Sequence, residues 1–160
     1  LNFHTINKNY YLNVSTKDSL TGLTNRGRLE QEIQEYIDSG KKFYLSFIDL
    51  DKFKQINDSL GHDMGDEVLK HVSSLMEEVN PSGLNARNGG DEFIMITFNN
   101  NKDVIKAFVN LLKLPLKYGN NEIIISASLG SSYCDGSEAS LDDLIKQADD
   151  NMYISKQSRV

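Results

Sequence analysis

The chain has no tryptophan, one cysteine and two prolines in 160 residues. The lone Cys134 excludes an internal disulfide. It fits a reducing compartment and reads as a small buried hydrophobe. The two prolines, Pro81 and Pro115, each sit where a helix must stop. No apolar run approaches the length needed to span a membrane, and no signal peptide is visible. Basic charge is scarce: 17 Lys and Arg stand against 23 Asp and Glu, a net charge of −6. That balance argues against a nucleic-acid footprint and against an anionic membrane surface. Internal repeats and low-complexity tracts are missing too. The expected location is the cytoplasm, with a membrane domain upstream left open. The sequence begins at Leu1 rather than Met, so a piece of a longer protein is expected. Residues 1–17, without a sustained period, read as a linker from an upstream sensor domain. Residues 18–160 read as one domain with a sizeable core.

What is present is periodic. Leu29, Ile33, Tyr36 and Ile37 predict a helix that stops near Ser39-Gly40. Phe43 to Ile48 is nearly all apolar and predicts a central strand buried on both faces. Asp51 stands at the N-cap of a short helix ending near Leu60-Gly61. A longer helix follows, with Val68, Leu69, Val72, Leu75, Met76 and Val79 as its apolar stripe. Residues 80–83 break it. Val104, Ile105, Phe108, Leu111 and Leu112 predict a helix stopped before Pro115. Ile123 to Leu129 reads as a strand. Ser140 and Asp143 form a capping box for a last helix through Leu141, Leu144, Ile145, Ala148 and Met152. The fold class is therefore α/β of the α+β kind. It is a ferredoxin-like split βαβ core, with a mainly antiparallel sheet flanked by helices.

Two stretches carry chemistry. In Ala86-Arg-Asn-Gly-Gly-Asp-Glu-Phe93 the Asn88-Gly89-Gly90 run predicts the tip of a β-hairpin, because a tight turn needs positive φ. Bare backbone at Gly89 and Gly90 lets a polyphosphate approach main-chain N–H groups. Asp91 and Glu92 follow at once and can hold a divalent cation that the phosphates share. Taken alone, the same residues make an ordinary solvated turn. The second stretch is the end of the central strand, Asp49-Leu50-Asp51. Split βαβ connectivity places Asp49 near Asp91 and Glu92. Carboxylates about 4 Å apart repel by roughly 1 kcal/mol in water and about 4 at a protein surface, so such a cluster calls for Mg²⁺ or Mn²⁺. Asp49 reads as a ligand and Asp51 as an N-cap. Neighbouring strand residues face opposite ways. That puts Asp91 in the site and Glu92 at its edge or on a second ion.

Gly89-Gly90-Asp91-Glu92-Phe93, together with Phe47-Ile-Asp-Leu-Asp-Lys-Phe-Lys-Gln-Ile-Asn-Asp58 and Gly61-His-Asp-Met-Gly-Asp-Glu-Val-Leu69, resembles the GGDEF family of diguanylate cyclases. Asp18-Ser-Leu-Thr-Gly-Leu-Thr-Asn-Arg26 is similar to that family's opening motif, with Thr24 where proline is common. The resemblance implies a fold akin to nucleotide cyclases and polymerase palms. It implies a metal-dependent, dimer-dependent condensation of two GTP to cyclic di-GMP and two pyrophosphates. By it, Asp49, the Leu50 carbonyl, Asp91 and Glu92 hold Mg²⁺ or Mn²⁺, and Asp91 is the base for the 3′-hydroxyl. Lys54 lies against the phosphates, Asn57 and Asp66 read guanine, His62 lines the pocket and Lys156 clamps phosphate. A homodimer supplies the second GTP.

The chain also departs from the family's pattern. The inhibitory Arg-x-x-Asp that many members carry is replaced by Asn80-Pro-Ser-Gly83, and Arg159 falls one position early. Taken singly, Lys54 is a solvated helix residue, Asn57 a helix-end cap, His62 a loop histidine and Asp66 a helix cap. Two other readings stand beside the enzyme. One is a catalytically weak or inactive module that binds GTP or docks a neighbouring domain. The other is a metal-dependent polymerase palm, which the acidic surface opposes.

Overall fold

The structure is a computed structural model in which residues 15–157 are described, with side chains described as far as Met152. Residues 1–14 of the expected linker, Arg159 and the side chain of Lys156 lie outside the described residues.

Asn25 opens α1 (Arg26–Asp38) by accepting the amide of Arg28 on its side chain at 2.9 Å. The chain then forms β1 (Phe43–Leu50), α2 (Phe53–Leu60) and α3 (His62–Val79). β2 (Leu84–Gly89) and β3 (Glu92–Thr97) make the hairpin, and α4 (Asn101–Leu112) follows. A small hairpin, β4 (Leu116–Tyr118) and β5 (Asn121–Ile123), precedes β6 (Ala127–Cys134) and α5 (Leu141–Gln157). The main sheet runs β2-β3-β1-β6, and every pair in it is antiparallel. That is the expected split βαβ order, with β1 lying beside the hairpin.

Period two along the central strands sorts the core into two layers. Ile48, Leu50, Phe93 and Met95 face the stripes of α3 and α4, among them Val68, Val72, Met76 and Phe108. Phe43, Leu45, Phe47, Ile94 and Ile96 face α1 and α5 through Leu29, Ile33, Leu144 and Ala148. β1 is thus covered on both sides, as its nearly all-apolar sequence requires. The capping box is in place: Asp143 N–H donates to Ser140 Oγ at 3.1 Å, and Ser140 N–H to Asp143 Oδ2 at 3.4 Å. Cys134 is buried.

Two expectations need correction. The strand expected over Ile123 to Leu129 is divided, because β5 ends at Ile123 and β6 begins at Ala127. Between them the backbone carbonyl of Ser126 accepts Asp51 N–H at 2.9 Å, Ile124 is 72% exposed and Ile125 is buried. The apolar run therefore crosses from one sheet to another rather than filling one strand. The β4–β5 hairpin around Gly119 was not anticipated. His62, which taken singly reads as a loop histidine, is the first residue of α3.

Candidate active site at the glycine hairpin

The hairpin turns on Gly90 and Asp91, one residue further on than the expected tip of residues 88–90. Gly90 has φ +46°, a left-handed value that favours glycine at the first turn position. Nothing lies within 4 Å of a Cβ built on Gly89 or Gly90, so the backbone at the tip is open to an approaching ligand. A bulge between Arg87 and Gly89 sets Asn88 and Gly89 together against Glu92.

Asp49 pairs with Glu92 across β1 and β3. Directly opposed residues share a face, so both carboxylates stand at the same end of the sheet on the side of α1 and α5. Glu92, expected at the edge of the site or on a second ion, is the residue that opposes Asp49. Asp91 occupies the turn, and its carbonyl accepts Leu50 N–H at 3.2 Å. That bond ties the tip to the end of β1. Asp49, Asp91 and Glu92 are each half-buried.

Asp51 is not the N-cap. Its carboxylate accepts Ser126 Oγ–H at 2.9 Å and Ser128 Oγ–H at 2.7 Å, which draws it toward β6. Lys52 takes the cap position with φ +58°, and α2 begins with no side-chain cap. The Gln55 amide donates to the Lys52 carbonyl at 3.0 Å, so the amides ahead of it are the ones open to an anion, as at phosphate-binding helix N-termini. Lys54, in that first turn, is exposed and has no ion-pair partner among the described residues.

Gly61, with φ +91°, folds α2 back against α3. A Cβ at Gly65 would overlap Asn57 Oδ1, so the glycine makes room for that side chain. Asp66 is the next residue and is exposed. It is the fifth residue of α3, too deep to cap the helix. His62, at the start of the same helix, is exposed as well.

Two residues beyond the expected set hold the hairpin. Arg87 donates Nη1–H to Asp18 at 3.2 Å and Nε–H to the Gly90 carbonyl at 3.0 Å. Burial pushes the Asp18 pKa up, but the Thr21 hydroxyl and amide and Arg87 outweigh it, and the net shift is below the ordinary value of 3.8. On the other side Arg26 donates to Asn88 Oδ1 at 2.7 Å, and Asn88 donates to Glu92 Oε2 at 3.0 Å. The sequence signal for the first contact was an Arg just before the glycines and an Asp opening the motif segment. No spacing rule reveals the second.

The donor chemistry fits a hard divalent cation, because it is all oxygen. Among the described residues no three His, Cys, Asp or Glu side chains close into a cage. A hard divalent cation held by these oxygens would draw the rest of its shell from phosphate and water, as Mg²⁺ commonly does. Among the same residues no helix is long and apolar enough to cross a membrane.

The family described as diguanylate cyclase, GGDEF domain, matches residues 15–160. Diguanylate cyclase DosC of Shigella sonnei is 36% identical over 87% of the chain and 32% of its own length. Cyclic di-GMP phosphodiesterase PdeR of Escherichia coli is 31% identical over 90% of the chain and 23% of its own length. The chain therefore spans about a third or less of these curated relatives. The crystal structure of the GGDEF domain of DgcB from Caulobacter crescentus, in complex with c-di-GMP, superimposes with a TM-score of 0.77. It is 30% identical, over 89% of this chain and 88% of that one.

Proposed function

Because the chain belongs to the diguanylate cyclase GGDEF domain family, we propose that it condenses two GTP into cyclic di-GMP with release of two pyrophosphates. The observation that carries this reading is the pairing of Asp49 with Glu92 beneath a glycine tip that bears Asp91. Asp49, the Leu50 carbonyl, Asp91 and Glu92 would hold Mg²⁺ or Mn²⁺, which neutralises charge building on the phosphates during in-line transfer.

The remaining roles fall to the chain's own groups. The bare backbone at Gly89 and Gly90 admits the triphosphate. Lys54 and the uncapped first turn of α2 take its charge. Asn57 and Asp66 meet the guanine edge, where a carboxylate accepts the N1–H and 2-amino donors that adenine cannot offer. His62 lines the same pocket, and Lys156 clamps phosphate. Asp91 takes the proton of the attacking 3′-hydroxyl. The product is two-fold symmetric, so two domains face each other, each holding one GTP. Catalysis is then mostly orientation of bound substrates.

Incubation with GTP and Mg²⁺ tests the proposal. The expected result is pyrophosphate and a cyclic dinucleotide, with little product from ATP. Absence of both products overturns it. A second reading draws support from the relative named a phosphodiesterase, in which a domain like this one lies within a longer chain. Under that reading the domain binds GTP and regulates a neighbour. GTP binding without turnover is its signature.

A further inference from the structure

Asn88 occupies the bulge of β2, and its amide is held from both ends. Arg26 Nη1–H donates to Oδ1 at 2.7 Å. A guanidinium has donors only, so it must face the amide oxygen. That fixes which way the amide points and turns Nδ2 toward Glu92, whose Oε2 it meets at 3.0 Å. Arg26 is itself restrained: Nη2 donates to Asp142 Oδ1 at 2.7 Å, and Nε lies 3.4 Å from Glu30 Oε1. The relay runs from the first turns of α1 and α5 through the bulge to the carboxylate that opposes Asp49.

We propose that Asn88, oriented by Arg26, is a positioning residue that sets the Glu92 carboxylate for the divalent cation. The inference rests on the reading of Glu92 as a metal-side carboxylate. With Oε2 held by Asn88, the Oε1 oxygen is the one presented to the ion. Arg26 polarises the amide and strengthens the bond it donates. The bulge is what makes the contact available. In an unbroken ladder Asn88 would itself pair with Glu92 as the opposing strand residue. Here Gly89 takes that place and Asn88 is the extra residue.

The probe is Mn²⁺, titrated by the electron paramagnetic resonance of the free ion into protein saturated with a non-hydrolysable GTP analogue. Asn88→Leu keeps the size of the side chain and removes both hydrogen bonds. Outer-shell partners typically change metal affinity by about 10- to 100-fold. The expected result is Mn²⁺ binding weakened roughly tenfold, the low end of that range. The melting temperature should fall, since both lost bonds reach charged groups, while circular dichroism at the titration temperature should still show the native fold. In turnover, Asn88→Leu should raise the Mg²⁺ needed for half-maximal rate far more than it lowers the rate at saturating metal.

Arg26→Met is the second variant. It should weaken Mn²⁺ in the same direction, and the Arg26→Met/Asn88→Leu double variant should be no worse than Asn88→Leu alone, because the two act in series. Unchanged Mn²⁺ affinity in Asn88→Leu overturns the inference. So does an unmodified protein that binds no Mn²⁺ beside the nucleotide. Asn88-dependent Mn²⁺ binding without cyclic product leaves the relay standing and sinks the cyclase reading instead.

Discussion

Among the described residues two hairpins turn on a glycine of similar φ in very different surroundings. Gly90 turns β2 into β3 at φ +46°, and Gly119 turns β4 into β5 at φ +59°. Neither tip has an atom close enough to exclude a Cβ. β4–β5 is a two-stranded sheet on its own, resting on the core through Leu116 and Ile123, with Tyr118 largely outside. β2–β3 lies within the main sheet and is held on both faces. Arg87 ties one face to Asp18, Asn88 ties the other to Arg26, and Thr24 joins through Arg87 N–H at 3.0 Å. A glycine turn by itself is therefore not a site. What sets one hairpin apart is the restraint on the residues flanking its tip, which holds carboxylates in place for chemistry.

The sharpest test of that contrast is Asp91→Asn. General-base contributions are of order 10²–10⁴ in rate, and turnover should fall by at least about that much. Stability should scarcely move, because the Asp91 carboxylate has no hydrogen bond among the described residues and the Leu50 bond uses its backbone. Pyrophosphate release paired with thermal melting checks both halves. Near-wild-type turnover at saturating Mg²⁺ would remove Asp91 from the site.

Arg87→Ala comes next. It cuts a partly buried ion pair and the bond to the Gly90 carbonyl, and hydrogen bonds to charged groups contribute about 1.5–3 kcal/mol. A loss near the lower figure is expected, together with slower turnover as the tip loosens. The same pair gives a pH signature. The folded-state pKa of Asp18 is depressed, so its contribution is full above the ordinary value of 3.8 and fades as pH falls through the folded pKa. Melting temperature should therefore drop more steeply on acidification below about pH 4 in the unmodified protein than in Asp18→Asn. Parallel curves would mean the pair contributes nothing.

The contrast also explains what could be read in advance. The antiparallel split βαβ pattern, the two-sided burial of β1 and the Asp49–hairpin neighbourhood followed from the apolar pattern and the connectivity, which are long-range rules printed in local pattern. The β4–β5 hairpin was missed because Ile123 to Leu129 reads as one strand in sequence. In space it splits where Ser126 meets Asp51. Asp51 was assigned as a cap because a cap is the local solution for an Asp before a helix. Two serines 75 and 77 positions away offered a better one. Alternation was applied to Asp91 and Glu92 as neighbouring strand residues, whereas Asp91 lies in the turn and only Glu92 belongs to β3. Contacts such as Arg26 to Asn88, 62 positions apart, leave no trace in spacing.

Exchanging the glycines measures the turns themselves. A left-handed conformation costs an L-residue roughly 1–2 kcal/mol. Gly90→Ala and Gly119→Ala should each lose about 1 kcal/mol of stability by that rule. Only Gly90→Ala should lower turnover, because it alters the backbone that faces the phosphates. Equal turnover in the two variants would erase the functional distinction between the hairpins.

The smallest effect is expected at the opposite end of β2, where cyclic di-GMP should do nothing. The inhibitory Arg-x-x-Asp of related cyclases would fall on Asn80 and Gly83. Asn80 is only 2% exposed. Its Nδ2–H donates to Asn85 Oδ1 at 2.9 Å and to the Ile96 carbonyl at 3.1 Å, and Asn85 returns a bond to the Asn80 carbonyl at 3.2 Å. A Cβ on Gly83 would overlap the Ile96 carbonyl and lie 2.6 Å from Asn80 Oδ1. The corner is filled by a satisfied amide pair, with no guanidinium fork or carboxylate to grip a guanine and its phosphate. Grafting the carboxylate back should not help. Gly83→Asp should cost about 1–3 kcal/mol through overpacking and create no inhibition. Initial rates should be flat across added cyclic di-GMP at fixed saturating GTP. Calorimetry on an Asn57→Ala/Asp66→Ser variant isolates this end of the hairpin from the nucleotide pocket. Tight cyclic di-GMP binding that survives in that variant would mean that β2 carries a second ligand site after all.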